Sequence, residues 1–123
     1  MLAIRDTGAR GRGVFALRRF ARGELIERTP VIVLADGDRW QLNLTVLKNY
    51  MFGWGPDYQQ AAIALGYGSI FNHSYTPNVV WELELEERMI RFIAWRDVEC
   101  GDEITINYNF YPDDTRPLWF ETV

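Results

Sequence analysis

Leu65-Gly66-Tyr67-Gly68-Ser69-Ile70-Phe71-Asn72-His73-Ser74-Tyr75-Thr76-Pro77-Asn78 sets the only histidine, His73, between an amide and a hydroxyl side chain, directly after the apolar pair Ile70-Phe71. A second stretch answers it near the other end: Gly101-Asp102-Glu103-Ile104-Thr105-Ile106-Asn107-Tyr108-Asn109-Phe110-Tyr111. The fold turns on whether these two segments lie against each other and make one site. The expectation is that they do.

Composition narrows the classes around that question. A chain of 123 residues amounts to about one domain, expected to span 1–123. Apolar residues make up 48% and charged residues 24%, and no window approaches the roughly 20 apolar residues of a membrane span, so no membrane partner is expected. Met1-Leu2-Ala3-Ile4-Arg5 has neither a cationic leader nor an apolar block, so no secretory signal is expected. The single cysteine, Cys100, excludes an internal disulfide and suits a reducing compartment. One Cys and one His cannot fill a tetrahedral zinc site, so no metal is expected. A net charge of −4 with no basic run argues against direct nucleic-acid binding.

Along the chain, Leu2 to Arg5 reads as a strand, followed by a loop of small residues in which Gly11 and Gly13 flank Arg12. Glycines allow positive φ and a close approach of the backbone to another group. The third glycine and helix of a dinucleotide fingerprint are missing. Val14 to Leu17 reads as a buried strand and Phe20 to Glu24 as a turn closed by glycine. Leu25 to Arg28 and Val31 to Leu34 are β-type runs, with Pro30 expected to interrupt or edge the sheet. Between Asp36 and Tyr50, apolar residues Trp40, Leu44, Leu47 and Met51 recur at helical spacing, with Asp36 or Asp38 as N-cap, predicting one short helix. Gly53 to Asp57 reads as a loop, and Tyr58 to Leu65 as a strand entering the core. Val79 to Glu86 alternates with period two, a half-buried strand, with Glu87-Arg88 as the hairpin turn and Met89 to Trp95 returning. Glu82, Glu84 and Glu86 then share one face, either a solvated surface or one that attracts a basic peptide. Cys100 and Glu103 read as turn residues, Glu103 with an ion-pair option.

Gly11-Arg12-Gly13-Val14-Phe15-Ala16, then Gly66 to Ser74 with Pro77-Asn78, then Ala94 to Val98, then Gly101 to Tyr108 resemble, in order and spacing, a SET domain, the family of protein-lysine methyltransferases. The chain is most similar to minimal stand-alone members of bacteria and large viruses. The resemblance implies a mostly β fold, a β-clip of small curved sheets with a knot-like C-terminal threading and one or two short helices. It implies S-adenosylmethionine on one side and a substrate lysine on the other, joined by a narrow channel. Asn72 resembles the residue holding the cofactor's methionine end, and His73 the position whose backbone meets the adenine. Gly11, Arg12 and Gly13 resemble the loop along the cofactor, and Tyr50 the tyrosine of the variable middle motif. Tyr108 aligns with the catalytic tyrosine. Ile106 stands where many relatives carry an aromatic that sets the number of methyl groups, which stays open here. No cysteine-rich tail closes the lysine channel, so Phe110, Tyr111, Trp119 or Phe120 would do so, with Pro112 and Pro117 stiffening the path.

Methyl transfer from a sulfonium is an in-line displacement for which the protein mainly positions and desolvates. Free lysine has a pKa of about 10.4, and burial beside a cation lowers it. A tyrosine hydroxyl and backbone carbonyls then orient the amine and accept weak C–H···O contacts. The expected function is methylation of a lysine in a protein or peptide substrate, with histones or histone-like proteins as one option. A homodimer is an even alternative to a monomer, and the expected location is cytosolic, or chromatin for a virus or eukaryote. The rival reading is a catalytically silent SET-like module that binds cofactor or a protein.

Overall fold

The computed structural model describes residues 1–56, 59–108 and 115. In chain order the elements are β1 (Leu2–Asp6), β2 (Arg12–Ala16), β3 (Leu25–Val33), α1 (Asp36–Leu42), a 3-10 turn (Val46–Tyr50), β4 (Met51–Trp54) and β5 (Gln60–Ala64). A second 3-10 turn (Gly68–Ile70), β6 (Asn72–His73), β7 (Val79–Glu84), β8 (Met89–Ala94) and β9 (Glu103–Ile106) follow. They form two sheets, one ordered β1-β2-β9-β6 and one ordered β4-β5-β3-β8-β7. The mostly β expectation holds. No helix among the described residues is long and apolar enough to cross a membrane.

The period-two pattern produces β7, which buries Val79 and Trp81 and pairs antiparallel with β8 from Val79↔Ala94 to Glu84↔Met89. The turn between them covers 85–88, two residues longer than expected, and closes on Arg88 at φ 54. Cations from neighbouring strands answer the acidic face. Arg28 donates to Glu84 from Nε at 2.8 Å and Nη2 at 3.0 Å, and Arg91 reaches Glu82 at 3.3 Å. Glu82 and Glu84 are thus a compensated ladder rather than a bare negative surface, and Glu86, expected on the same face, falls in the turn instead.

Three local expectations are corrected. Pro30 does not break the sheet: β3 runs straight through it, because the strand changes partner there. Leu25 to Pro30 pair with β8 and Val31 to Val33 with β5, so the missing N–H falls at the hand-over. The predicted helix between Asp36 and Tyr50 is two short pieces. Neither Asp36 nor Asp38 caps α1, whose N-cap is Ala35; both lie in the first turn. Thr45 caps the following 3-10 turn by accepting the Leu47 N–H at 3.2 Å. Trp40 is 78% and Leu44 89% exposed, so the helical spacing of apolar residues here does not mark a core face. Gly53 and Trp54 belong to β4, paired with β5, with Trp54 buried; the turn begins only at Gly55, whose φ is 96.

One core joins the sheets. Val14, Ile104 and Ile106 come from the first sheet, and Phe52, Trp81, Ile90 and Phe92 from the second. Phe71 packs edge-on against Phe92 with ring centroids 4.8 Å apart, fastening the central stretch to this core. Gly68 is required beside it, since a Cβ would stand 2.9 Å from that of Ala64 and 3.1 Å from Phe92.

Asn78 ties β7 to β9. Only 5% exposed, its side chain donates through Nδ2 to the Glu103 carbonyl at 2.8 Å and accepts the Thr105 N–H at Oδ1 at 2.9 Å. Removing the amide takes the partner from a buried Thr105 N–H and from the part-buried Glu103 carbonyl. Asn78→Ala should therefore lower stability by about 3 kcal/mol, read as a lower urea midpoint with an unchanged slope.

Candidate functional site

Asn72 and His73 form a two-residue parallel ladder with Thr105 and Ile106, and the Ser74 N–H extends it to the Ile106 carbonyl at 2.9 Å. The two motif stretches therefore lie side by side. Past β9 the chain turns at the buried Asn107, and Tyr108 comes back over His73. The Tyr108 N–H donates to His73 Nδ1 at 3.0 Å, and the phenol donates to the Phe71 carbonyl at 2.7 Å. The two rings lie 5.2 Å apart, and Tyr75 meets the imidazole edge-on at 4.5 Å.

Burial decides the proton states. It pushes the Tyr108 phenol up to about 12, with Tyr50 and Glu103 adding to the rise and Arg10 opposing it. The hydroxyl stays protonated at neutral pH. With its hydrogen given to Phe71, its oxygen serves as an acceptor. Burial also lowers the His73 pKa. An Nδ1 that accepts a hydrogen bond places the imidazole proton on Nε2, and Nε2 is buried without a partner among the described residues.

Beside the imidazole lies a polar cluster. Asn72 Nδ2 donates to Glu103 Oε2 at 2.7 Å and to the Arg12 carbonyl at 3.2 Å, and Arg10 forms an ion pair with the other Glu103 oxygen. Thr7 shapes the loop that presents Arg10: its N–H and its hydroxyl both donate to the Gly11 carbonyl at 2.7 Å. The two glycines serve different needs. Gly11 has φ 69, in the left-handed region. Gly13 has no such angle; a Cβ there would collide with the Glu103 carboxylate and stand 2.9 Å from Asn72 Nδ2. From β3, Glu27 accepts the Tyr67 N–H at 2.8 Å and the Thr29 hydroxyl reaches the Leu65 carbonyl, fixing where the central stretch begins.

Arg12, Gly13, Asn72, His73 and Tyr108 thus converge, with Gly11 one position before them in the turn that Thr7 closes. Tyr50 ends the 3-10 turn, near enough to Tyr108 to add to the rise of its phenol. Ile106, 1% exposed, is part of the core, directly in register with His73. Phe110, Tyr111, Trp119 and Phe120, and any threading past Tyr108, lie outside the described residues. Three contributors escaped the sequence reading: Asn78 as the clamp on β9, Arg10, and the use of Glu103 as the anchor of Asn72. Glu103 had a signal, its place within the second motif; Arg10 had none. Among the described residues no group of three His, Cys, Asp or Glu side chains is placed to hold a metal ion.

The SET domain profile matches residues 11–109. The histone-lysine N-methyltransferase of Schizosaccharomyces pombe specific for H3 lysine-37 is 36% identical over 121 residues, covering 98% of this chain and 77% of that protein. The crystal structure of a Plasmodium falciparum protein assigned as a histone methyltransferase superposes with a TM-score of 0.69 at 24% identity, over 87% of this chain and 91% of that one.

The phenol gives a test of this geometry. Below pH 10.0, the ordinary tyrosine value, folded and unfolded chains both keep the proton; from there to about 12 the unfolded chain loses it first. Stability should fall as pH rises through this window. Tyr108→Phe should flatten the fall, measured as urea midpoints at pH values about one unit either side of the unfolded value.

Proposed function

The chain belongs to the SET domain family, and we propose that it methylates a lysine side chain of a protein substrate using S-adenosylmethionine, with histones as the favoured substrate class. The observation that carries this reading is the meeting of Asn72, His73 and Tyr108, brought from distant parts of the chain to one edge of β9. The substrate class rests on the name of the fission-yeast relative.

The polar cluster suits the amino-acid end of the cofactor, a zwitterion. Both contacts of the Asn72 side chain use Nδ2, so Oδ1 is oriented as an acceptor for an ammonium beside the Glu103 carboxylate. The Arg10 guanidinium supplies the complementary charge for a carboxylate. Gly11 and Gly13 let the loop backbone come close, since an open space adjoins Gly11. When bound, the cofactor supplies the methyl group and, in its sulfide, the leaving group of an in-line displacement.

The residues of this chain do the rest. The surroundings that raise the Tyr108 phenol and lower His73 through burial disfavour charge in general. A lysine entering them is pushed towards its neutral, nucleophilic amine. The Tyr108 hydroxyl, held by the Phe71 carbonyl, presents its oxygen to orient that amine. Placement and desolvation together account for the rate; no carboxylate is needed as a base.

Incubation with labelled S-adenosylmethionine and either histones or a cell lysate, followed by mapping of labelled lysines, tests the assignment; a protein that binds the cofactor without labelling any lysine would be the silent module instead. Tyr108→Phe should cut methyl transfer by about a hundredfold while leaving calorimetric affinity for the cofactor nearly intact. Asn72→Ala should instead weaken that affinity about tenfold.

A further inference from the structure

The resemblance assigned His73 through its backbone, yet the structure gives its ring a separate task. Tyr108 stands beyond the end of β9, and two bonds tie it to the central stretch. One is the phenol to the Phe71 carbonyl, and the other is the backbone N–H to His73 Nδ1. The first holds the tip of the side chain and the second the base of the residue. Both acceptors belong to the stretch that β6 pins beside β9, so they form one rigid frame.

We propose that His73 is a positioning residue whose imidazole, through Nδ1, holds the Tyr108 backbone and hence the phenol in register, so that the site works only while that ring is neutral. The inference rests on the methyl-transfer reading for its kinetic consequence and stands on geometry for the clamp. Protonation would place a hydrogen on Nδ1, facing the Tyr108 N–H, and turn an attraction into a donor–donor clash.

The surroundings make that protonation a discrete event. Around the ring stand Tyr75 from its own loop, meeting it edge-on, and Tyr108 from beyond β9. The charged groups of the site, Glu103 on β9 and Arg10 in the loop before β2, are bonded to each other, and Glu103 also to Asn72. Neither charge shifts the imidazole; burial alone lowers its pKa, consistent with a dry Nε2 that finds no partner among the described residues. The ring therefore stays neutral through the physiological range and charges only below the ordinary imidazole value of about 6.5.

His73 is the only histidine, so long-range nitrogen-15 NMR of the intact chain reads its tautomer and titration without overlap. The expected spectrum shows the proton on Nε2, and the Tyr108 amide resonance moves with the same midpoint as the imidazole. A proton on Nδ1, or a Tyr108 amide unmoved through the titration, overturns the clamp. Single-turnover methyl transfer supplies the second readout. Deprotonation of the substrate amine alone gives a slope of about one in log rate against pH; the wild type should steepen towards about two below the imidazole midpoint.

His73→Asn, whose amide oxygen can accept the same N–H without titrating, should keep a slope of about one and recover part of the rate lost in His73→Ala. His73→Ala should lower kcat about tenfold with KM for the cofactor within about twofold. A wild-type profile with no steepening, or an asparagine variant that steepens equally, overturns the proposal. The expected spectra in a protein that methylates nothing would leave the clamp standing and defeat the methyl-transfer reading alone.

Discussion

The parallel pairing of Asn72–His73 with Thr105–Ile106 is short, and by itself two residues of ladder hold little. It persists because each side is fastened elsewhere. Phe71 is locked against Phe92 in the core, and the Asn78 amide bonds the backbone of β9 on both sides of Ile104. A side-chain amide that donates to one residue and accepts from the next-but-one stands in for a neighbouring strand. The sheet order β1-β2-β9-β6 follows, and with it the meeting of imidazole, amide and phenol.

Two neighbourhoods of opposite character touch at that meeting. On the Asn72 side, Arg10 and Glu103 hold full charges, satisfied by each other and by an amide. On the Tyr108 side, burial keeps both the phenol and the imidazole neutral. The boundary between them is narrow, since Glu103 acts on the phenol as well as anchoring Asn72. A zwitterion and an alkyl amine ask for opposite surroundings, and the two neighbourhoods that meet here differ in that same sense.

What could be read from sequence was whatever the chain repeats or spells locally. Val79 to Glu84 alternates because β7 turns one side to the core, so its strand and its return were legible from period alone. The motif stretches were legible as a set, and their contact followed. Pro30 was misread because its effect depends on which strand pairs beyond it, a fact held by β5 and β8 rather than by β3. Trp40 and Leu44 were misread because helical spacing reports a stripe, not what covers it. Gly53 and Trp54 looked like a loop by composition until the burial of Trp54 made them a strand. Asn78 and Arg10 act on partners 25 and 93 positions away, beyond any local pattern.

The order of strands in the first sheet has a bearing on how the molecule comes into being. β9, last of the nine strands among the described residues, is an interior strand flanked by β2 and β6. As the polypeptide leaves the ribosome, the β1-β2 hairpin and the second sheet have their partners early, while the seat for β9 stays open. Closing it joins segments about ninety positions apart, a costly loop that local contacts do not offset in advance. A nascent chain that still lacks this strand therefore cannot bring Asn72 and His73 beside Tyr108.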